Sequence, residues 1–145
     1  MKIPEYITVE EVRRVCQELG VSDWTALKEP RIKVEEARLI LDALKVGGMK
    51  IAIEDFHQGL EVELEHGTMY KEANVTNNHP LLTGMIVVAH FKESLDYYKR
   101  LEVAEIEGDL LKAVVARNAA KVEALYKKLV KARLVLNQEE STKLA

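Results

Sequence analysis

The chain has 145 residues, of which 48% are hydrophobic and 31% charged, a balance typical of one folded domain that excludes an intrinsically disordered chain. Its formal net charge of −3 is too small to indicate a polyanionic partner. The single cysteine, Cys16, excludes an internal disulfide and a cysteine zinc cluster.

Helix-forming residues dominate the composition, and only three prolines and seven glycines interrupt them. The sequence therefore predicts an all-α fold, a single-domain bundle of about five helices. Four segments make up this predicted domain, which spans residues 1–145: a duplicated helical segment (1–49), motif-bearing helices (50–107), a long basic helix (108–137) and a frayed tail (138–145).

Two observations concern the compartment. Met1–Pro4 carry no apolar targeting run, and no stretch reaches the roughly 18 apolar residues of a membrane-spanning helix. A chain with one cysteine also fits a reducing compartment. We therefore expect a cytoplasmic protein without a membrane partner.

The N-terminal third contains a duplication. Ile7–Val21 and Ile32–Val46 share seven identical positions at an offset of 25 residues. Each copy places acidic residues near the start of a predicted helix, where they oppose the positive end of the helix dipole, and each carries an apolar stripe. Thr8 with Glu11 matches a capping box.

Glycines mark the predicted ends of these two helices, Gly20 for the first and the pair at 47–48 for the second. The duplicated helices have two interpretations, a helix-turn-helix reader of nucleic acid or two helices that simply pack together. The acidic residues of the second copy oppose phosphate contacts and so favour the second interpretation.

A third helix is predicted from Ile53 to His66, with Gly67 ending it. On a wheel of about 100° per residue, Glu63 falls inside the apolar face of this helix. Glu61 and Glu65 fall on the opposite side, where we expect them to be solvated. The acidic run is therefore divided between the core and the solvent.

A fourth helix is predicted over Leu81–Leu101, with Pro80 in its first turn. Three polar side chains, those of His90, Glu93 and Tyr97, lie in the middle of its apolar stripe. This repeats the unusual inward position of Glu63 on the preceding helix.

These two helices carry related pairs. Glu63 and His66 have the spacing i,i+3, and His90 and Glu93 have the same spacing in reverse order. If the helices pack antiparallel, two imidazoles and two carboxylates meet in one small volume. A buried carboxylate needs a charge, hydrogen bonds or a metal to balance it.

Three interpretations of this Glu/His/Tyr cluster stay open. It is structural, with Glu–His pairs that fix the helix register; or a Glu–His pair performs acid–base chemistry on a small substrate; or it binds a divalent metal such as zinc, manganese or iron. No nucleophile motif, phosphate loop or cofactor fingerprint accompanies the cluster, so the sequence assigns no reaction. The candidate metal ligands are Glu63, His66, His90 and Glu93, with His57 and Tyr97 as further candidates.

The pattern from Asp109 to Asn137 predicts one long helix with heptad spacing and a basic surface outside its seam. This seam either closes the core of the domain or forms a homodimer, and Asn118 within it would set the register. Docking to nucleic acid or to a membrane has the least support. The homodimer residues would be Leu111, Val115, Asn118, Val122, Leu125 and Leu129.

Two stretches carry a long motif. Phe56–Gly67 reads Phe-His-Gln-Gly-Leu-Glu-Val-Glu-Leu-Glu-His-Gly, and Ala89–Tyr98 reads Ala-His-Phe-Lys-Glu-Ser-Leu-Asp-Tyr-Tyr. Together with Asn74-Val-Thr, residues 53–103 resemble a small uncharacterised domain of bacterial and phage proteins. That resemblance implies no activity. It marks as motif positions Glu63, Glu65, His66, His90, Glu93, Tyr97 and Tyr98.

The chain departs from the family pattern at two positions. Leu95 stands where the family often has proline, which predicts a straighter helix here. His79 stands where aspartate is common, which argues against a polar role at that position. The sequence thus indicates a small helical protein of unassigned biochemistry with a Glu/His/Tyr cluster between two helices, for which a divalent-metal site is one hypothesis. The alternative is a non-enzymatic interaction module, a homodimer through the C-terminal helix, in which the cluster is purely structural.

Overall fold

The computed structural model describes residues 5–144, and every regular element in that range is helical. This confirms the all-α class. Met1–Pro4, where no apolar targeting run was predicted, and Ala145 of the predicted frayed tail lie outside the described residues. Within the described range, no helix combines the length and the apolar character needed to cross a membrane. The six α-helices are α1 (Val9–Leu19), α2 (Val34–Leu44), α3 (Ile53–Met69), α4 (Pro80–Glu93), α5 (Tyr97–Val115) and α6 (Ala119–Leu144).

The chain divides into two compact units, one ending at Lys92 and one beginning at Glu93. The first unit contains α1, α2, α3 and nearly all of α4, together with two short 3₁₀ turns at Trp24–Ala26 and Lys71–Ala73. The second unit is the hairpin of α5 and α6. That residues 1–145 form a single domain stays a prediction.

The duplication is visible in the helices. Helices α1 and α2 each have 11 residues and begin at positions 25 residues apart. The Oγ1 atom of Thr8 accepts a hydrogen bond from the Glu11 amide at 3.2 Å, as the capping box predicts. Gly20 ends α1 in the left-handed conformation (φ 73°), and Lys45 takes the equivalent position in α2 (φ 49°). The prediction that the glycines at 47–48 end α2 is therefore wrong.

The core of the first unit is built from the apolar stripes of its four helices. Burial of each large side chain there contributes about 1.5–3 kcal/mol. Glu36 of α2 is also buried, and its carboxylate accepts hydrogen bonds from the Ser22 amide at 2.7 Å and from the Trp24 indole at 3.5 Å. The buried apolar residues include Val12, Val15, Trp24, Ala37, Ile40, Phe56, Leu60, Leu64, Val87 and Phe91.

The predicted fourth helix is interrupted. Helix α4 ends at Glu93 and α5 begins at Tyr97, so the prediction of one helix over Leu81–Leu101 is wrong, as is that of a straighter helix at Leu95. The Tyr97 amide donates to the Ser94 carbonyl at 3.1 Å and closes a turn. The buried carboxylate of Asp96 in this turn accepts a hydrogen bond from the Ser94 hydroxyl.

The predicted long C-terminal helix is also divided. Helix α5 passes through Gly108, and the break comes at Arg117, which has a left-handed backbone (φ 53°). Asn118 caps α6, because its Oδ1 atom accepts from the Lys121 amide at 3.0 Å. A long C-terminal helix is confirmed as α6, whereas the predicted bounds of Asp109–Asn137, with Asn118 in a continuous seam, are wrong. Residues 138–144 are helical rather than frayed.

Candidate functional site

Three of the four predicted metal ligands meet in the first unit. The Glu63 side chain on α3 is only 8% exposed, which confirms that it is directed inward. Its Oε2 atom lies 3.5 Å from Nδ1 of His66, one turn along α3, and its Oε1 atom lies 3.4 Å from Nε2 of His90 on α4. One nearly buried carboxylate is thus flanked by two imidazoles from two helices.

These two distances are longer than the usual N–H···O hydrogen bond of about 2.7–3.2 Å. They are close to the separation of about 3.4 Å expected between two ligand atoms on a tetrahedral ion with bonds of about 2.0–2.2 Å. The imidazoles, however, face different oxygens of Glu63. Accordingly, no group of three or more His, Cys, Asp or Glu side chains in residues 5–144 is already arranged to hold a metal ion.

Metal binding would therefore require a rearrangement of side chains. His66 is the residue that can provide it, because its side chain is 68% exposed and little packing opposes its rotation. His90 is more enclosed and fixes one side of the carboxylate. The site is best described as a preformed Glu63–His90 pair with His66 as a movable partner.

The other candidate ligands are divided between the two units. The Nε2 atom of His57 is 2.9 Å from the Ile32 carbonyl and 3.6 Å from Glu61, so this histidine joins a different cluster. Glu93 is the last residue of α4 and belongs to the second unit, as does Tyr97, whose ring meets the edge of Tyr98 at a centroid distance of 5.2 Å.

Glu61 is not solvated as predicted. Its side chain is mostly buried and accepts hydrogen bonds from the Arg31 guanidinium at 2.5 Å and from the Ile32 amide at 3.2 Å. Glu65 is partly exposed. A helical wheel describes a single helix, and it cannot show that the segment before α2 covers this side of α3.

A cleft of about 180 Å³ adjoins the cluster. Glu63, His66 and Gly67 of α3 form one wall, and Thr83 and Ile86 of α4 form another. The loop between the two helices closes the third side. The cleft lies entirely within the first unit and gives a small ligand access to the Glu63 carboxylate.

Gly67 allows this loop to approach α3. A Cβ atom at Gly67 would lie 1.7 Å from Oδ1 of Asn78 and 2.7 Å from Nδ2 of Asn74. The Nδ2 atom of Asn74 donates to Oδ1 of Asn78 at 3.1 Å, and the Nδ2 atom of Asn78 donates to the Trp24 carbonyl at 3.3 Å. The prediction that Gly67 ends α3 is wrong, since the helix continues to Met69. Gly67 instead lacks the side chain that would keep the loop from lying against α3.

His79 has a polar role that the sequence argued against. The side chain is buried, and its Nδ1 atom accepts a hydrogen bond from the Leu82 amide at 3.4 Å, in the first turn of α4. Burial lowers the pKa of this imidazole and so favours the neutral form that can accept the bond. An aspartate in this position would cap the helix in the same way.

Asp96 is a polar residue of the second unit that sequence reasoning missed. Its buried carboxylate accepts two hydrogen bonds from the Arg100 guanidinium, at 2.9 and 3.0 Å, one from Lys143 at 2.9 Å and one from Ser94. The Arg100 hydrogen bonds in particular hold the pKa of this carboxyl well below its usual range. No signal in the sequence marked it, because the predicted helix over Leu81–Leu101 runs through position 96 without a break.

A family model described as "Protein of unknown function (DUF5661)" matches residues 12–107. The chain belongs to the DUF5661 family. This confirms the resemblance to an uncharacterised domain family. The DUF5661 region contains Glu63, His66 and His90 and ends within α5, so α6 lies beyond it. The comparisons with curated proteins and with solved structures gave no match.

Proposed function

We propose that this DUF5661 protein binds a divalent metal ion through Glu63, His66 and His90. The observation that carries the proposal is the nearly buried Glu63 carboxylate between two imidazoles, at 3.4 and 3.5 Å. A carboxylate removed from water is stabilised by opposite charge, by hydrogen bonds or by a metal ion. Two imidazole nitrogens and one carboxylate oxygen suit zinc, manganese or iron in their divalent states.

Three protein ligands leave at least one coordination position for water or another exchangeable ligand. The cleft of about 180 Å³ beside Glu63 and His66 supplies the space for it. If Glu93 and Tyr97, the other candidate ligands from the sequence, also bound the ion, no coordination position would be left for an exchangeable ligand. We assign metal binding to the chain and no reaction. We also propose that the protein is cytoplasmic, because a chain whose lone cysteine, Cys16, is buried and unpaired fits a reducing compartment.

Equilibrium dialysis of protein purified without a metal-affinity tag tests this proposal. We expect one Zn²⁺, Mn²⁺ or Fe²⁺ per chain and a loss of affinity of at least about tenfold in His66→Ala. His57→Ala is the matched control, because it removes the same ring from the same helix outside the cluster, and its affinity should be unchanged. Glu93→Gln in the same assay decides whether Glu93 is a fourth ligand. A wild-type protein without stoichiometric metal, or equal losses in both histidine variants, would refute the proposal.

As a second candidate function, we propose that the second unit forms a homodimer. The observation behind it is that the hairpin of α5 and α6 leaves large apolar side chains in water, among them Leu111 (65% exposed) and Val115 (75% exposed). Pairing two such hairpins as a four-helix bundle would bury them. Of the predicted seam, Leu129 is already buried and Asn118 caps α6, while Val122 and Leu125 are partly exposed.

Light scattering at two protein concentrations tests the homodimer. We expect a dimer that becomes a monomer when Leu111 and Val115 are both changed to glutamate. Lys112→Glu is the control, because this exposed residue lies between them in the chain and its substitution should leave the dimer intact. A wild-type monomer at both concentrations would contradict the homodimer.

A further inference from the structure

We infer that the proposed homodimer forms through α5, which pairs in parallel with α5 of a second copy of the chain. The inference rests on the second candidate function, the homodimer, and adds to it a defined surface and a defined orientation. The exposed apolar side of α5 and the charges beside it carry the inference.

An apolar seam runs along the exposed side of α5. Leu111 and Val115 are both mostly exposed, whereas Ala113, two residues from each of them, is buried. Helix α5 therefore turns one side inward and the side with Leu111 and Val115 toward solvent. The spacing of this seam alternates between three and four residues, as in a coiled coil. Its a positions are Leu101, Gly108 and Val115, and its d positions are Ala104 and Leu111.

The seam extends toward the N-terminus of α5 and not into α6. In the sequence, the spacing from Leu111 to Val115 continues to Asn118, but α5 ends at Val115 and Asn118 caps α6. In the other direction, the same spacing continues through Gly108 to Leu101 within one unbroken helix. Leu101 is partly exposed, and a Cβ atom built at Gly108 has nothing within 4 Å. The described part of the chain therefore leaves this side of α5 open to a second helix.

The charged residues beside the seam favour the parallel orientation. In a parallel pair, a g position of one helix faces the next e position of the other helix, five residues further along. Arg100 would then face Glu105 of the second copy, and Glu107 would face Lys112 of the second copy. Both pairs join opposite charges, and the two-fold symmetry of a homodimer repeats each of them.

An antiparallel pair would bring like charges together instead. In that orientation, g positions face g positions and e positions face e positions. With the seam centred between Ala104 and Gly108, Glu105 would meet Glu105 of the second copy, and Glu107 would meet Glu107. Like charges placed opposite each other oppose association, so the charge pattern selects the parallel pair.

All four of these charged residues also interact within the chain. The Arg100 guanidinium bonds to Asp96 at 2.9 Å, and Glu107 accepts from Arg133 at 2.5 Å. The side chains of Arg100 and Glu107 are still 49% and 47% exposed, so each can meet a second charge. Exposed ion pairs contribute little affinity, so they set the orientation, and Lys112→Glu alone leaves the dimer intact.

Cysteine crosslinking tests the surface and the orientation together. We expect Leu111→Cys to form a disulfide between two copies in oxidised glutathione, because the d positions of a parallel pair lie within the Cα separation of about 7 Å that a disulfide allows. In the antiparallel pair, the two residues at position 111 would lie about ten residues, or roughly 15 Å, apart along the axis and would not link. Val115→Cys, which keeps Leu111, should also link. Non-reducing gel electrophoresis measures the crosslink, and the buried Cys16 should leave the wild type unlinked.

Val114→Cys is the matched control, because Val114 is also an exposed apolar residue of α5 but lies outside the seam. It should link at least about tenfold more slowly than Leu111→Cys, since the g positions of a parallel pair lie on opposite sides of the seam. Light scattering of the wild type and of the reduced variants accompanies the assay.

A dimeric wild type whose Leu111→Cys and Val115→Cys variants do not link, or whose Val114→Cys variant links equally fast, would overturn the inference and leave the homodimer intact. Preferential linking between Leu101→Cys and Leu111→Cys in a mixture would overturn the parallel orientation. If the wild type is a monomer at both concentrations, the homodimer fails and the inference fails with it.

Discussion

At the scale of single residues, Asp96 connects the two ends of the hairpin in the second unit. Its buried carboxylate at the start of α5 contacts Lys143 near the end of α6, and Arg100 joins the same group of charges through Glu140 at 2.8 Å. Because the pKa of Asp96 is depressed in the folded state, these contacts stabilise the fold above the unfolded-state pKa of about 3.9. That contribution is lost as the pH falls below this value toward the folded-state pKa.

We therefore predict that Asp96→Asn lowers the free energy of unfolding by about 1.5–3 kcal/mol at neutral pH, as expected for hydrogen bonds to a charged group. The difference from wild type should shrink as the pH falls below about 4. Urea unfolding at several pH values measures both effects. Asp109→Asn, on the exposed surface of α5, is the control and should have no measurable effect. A pH-independent cost at Asp96 would contradict the ionic explanation.

Gly67 and Gly108 form a second residue-scale comparison, because both are helical glycines with opposite surroundings. A Cβ at Gly67 would displace the hydrogen-bonded Asn78 side chain, whereas a Cβ at Gly108 has nothing within 4 Å. We predict that Gly67→Ala costs about 1–3 kcal/mol. Gly108→Ala should instead gain up to about 1 kcal/mol, since alanine favours the helix. Chemical denaturation of both variants checks this, and effects of the same sign would contradict it.

The periodicity of the sequence predicts correctly whether a residue is buried when the residue's own helix determines that burial. The helical wheel of α3 placed Glu63 inward, and the structure agrees. It failed for Glu61, which is covered by Arg31 and Ile32 from a segment about 30 residues earlier. The glycine stop signal failed at Gly67, whose neighbour Asn78 approaches from a loop. Contacts between distant segments are not encoded in the periodicity of either one.

At the scale of elements, the turn between α4 and α5 explains why proline is compatible with position 95. The Tyr97 amide bonds to the Ser94 carbonyl, and Asp96 has φ −99° and ψ 15°, near the values of the third position of a type I turn. Leu95 thus occupies the second position of that turn, where proline is favoured.

We predict that Leu95→Pro leaves the free energy of unfolding unchanged or raises it by up to about 1 kcal/mol, because it restricts the unfolded chain. Leu101→Pro, inside α5, is the control and should cost about 3 kcal/mol or more, because it removes a helical hydrogen bond. Thermal unfolding followed by circular dichroism measures both. A loss at Leu95 as large as that at Leu101 would show that the turn is not of this kind.

Some helix boundaries were predicted well from the sequence, and others were not. The repeat at an offset of 25 residues marks α1 and α2, whose starts are 25 residues apart. The boundary between α5 and α6 was missed because it depends on a left-handed Arg117 and on the Asn118 cap, at a point where the apolar spacing continues. The predicted gap between Leu101 and Asp109 is absent, because α5 continues from Tyr97 to Val115.

At the scale of the whole molecule, composition was enough to predict the all-α class, and the long motif was enough to indicate the family. The arrangement of the proposed site was only partly predictable. The i,i+3 spacing brought Glu63 to His66, and His90 joins them because α3 and α4 hold it at 3.4 Å. The cleft beside them was not predictable, because a loop of the first unit forms one of its sides.

The most direct test of the proposed site is the metal-dependent change in stability of chelator-treated protein. At a free Zn²⁺ concentration of about 100 times the dissociation constant, metal binding should raise the free energy of unfolding by about 2.7 kcal/mol. The double variant Glu63→Leu with His90→Leu removes both members of a buried pair, so it can remain folded, but it should gain nothing from Zn²⁺. No gain in the wild type, or an equal gain in the double variant, would contradict a metal site at Glu63, His66 and His90.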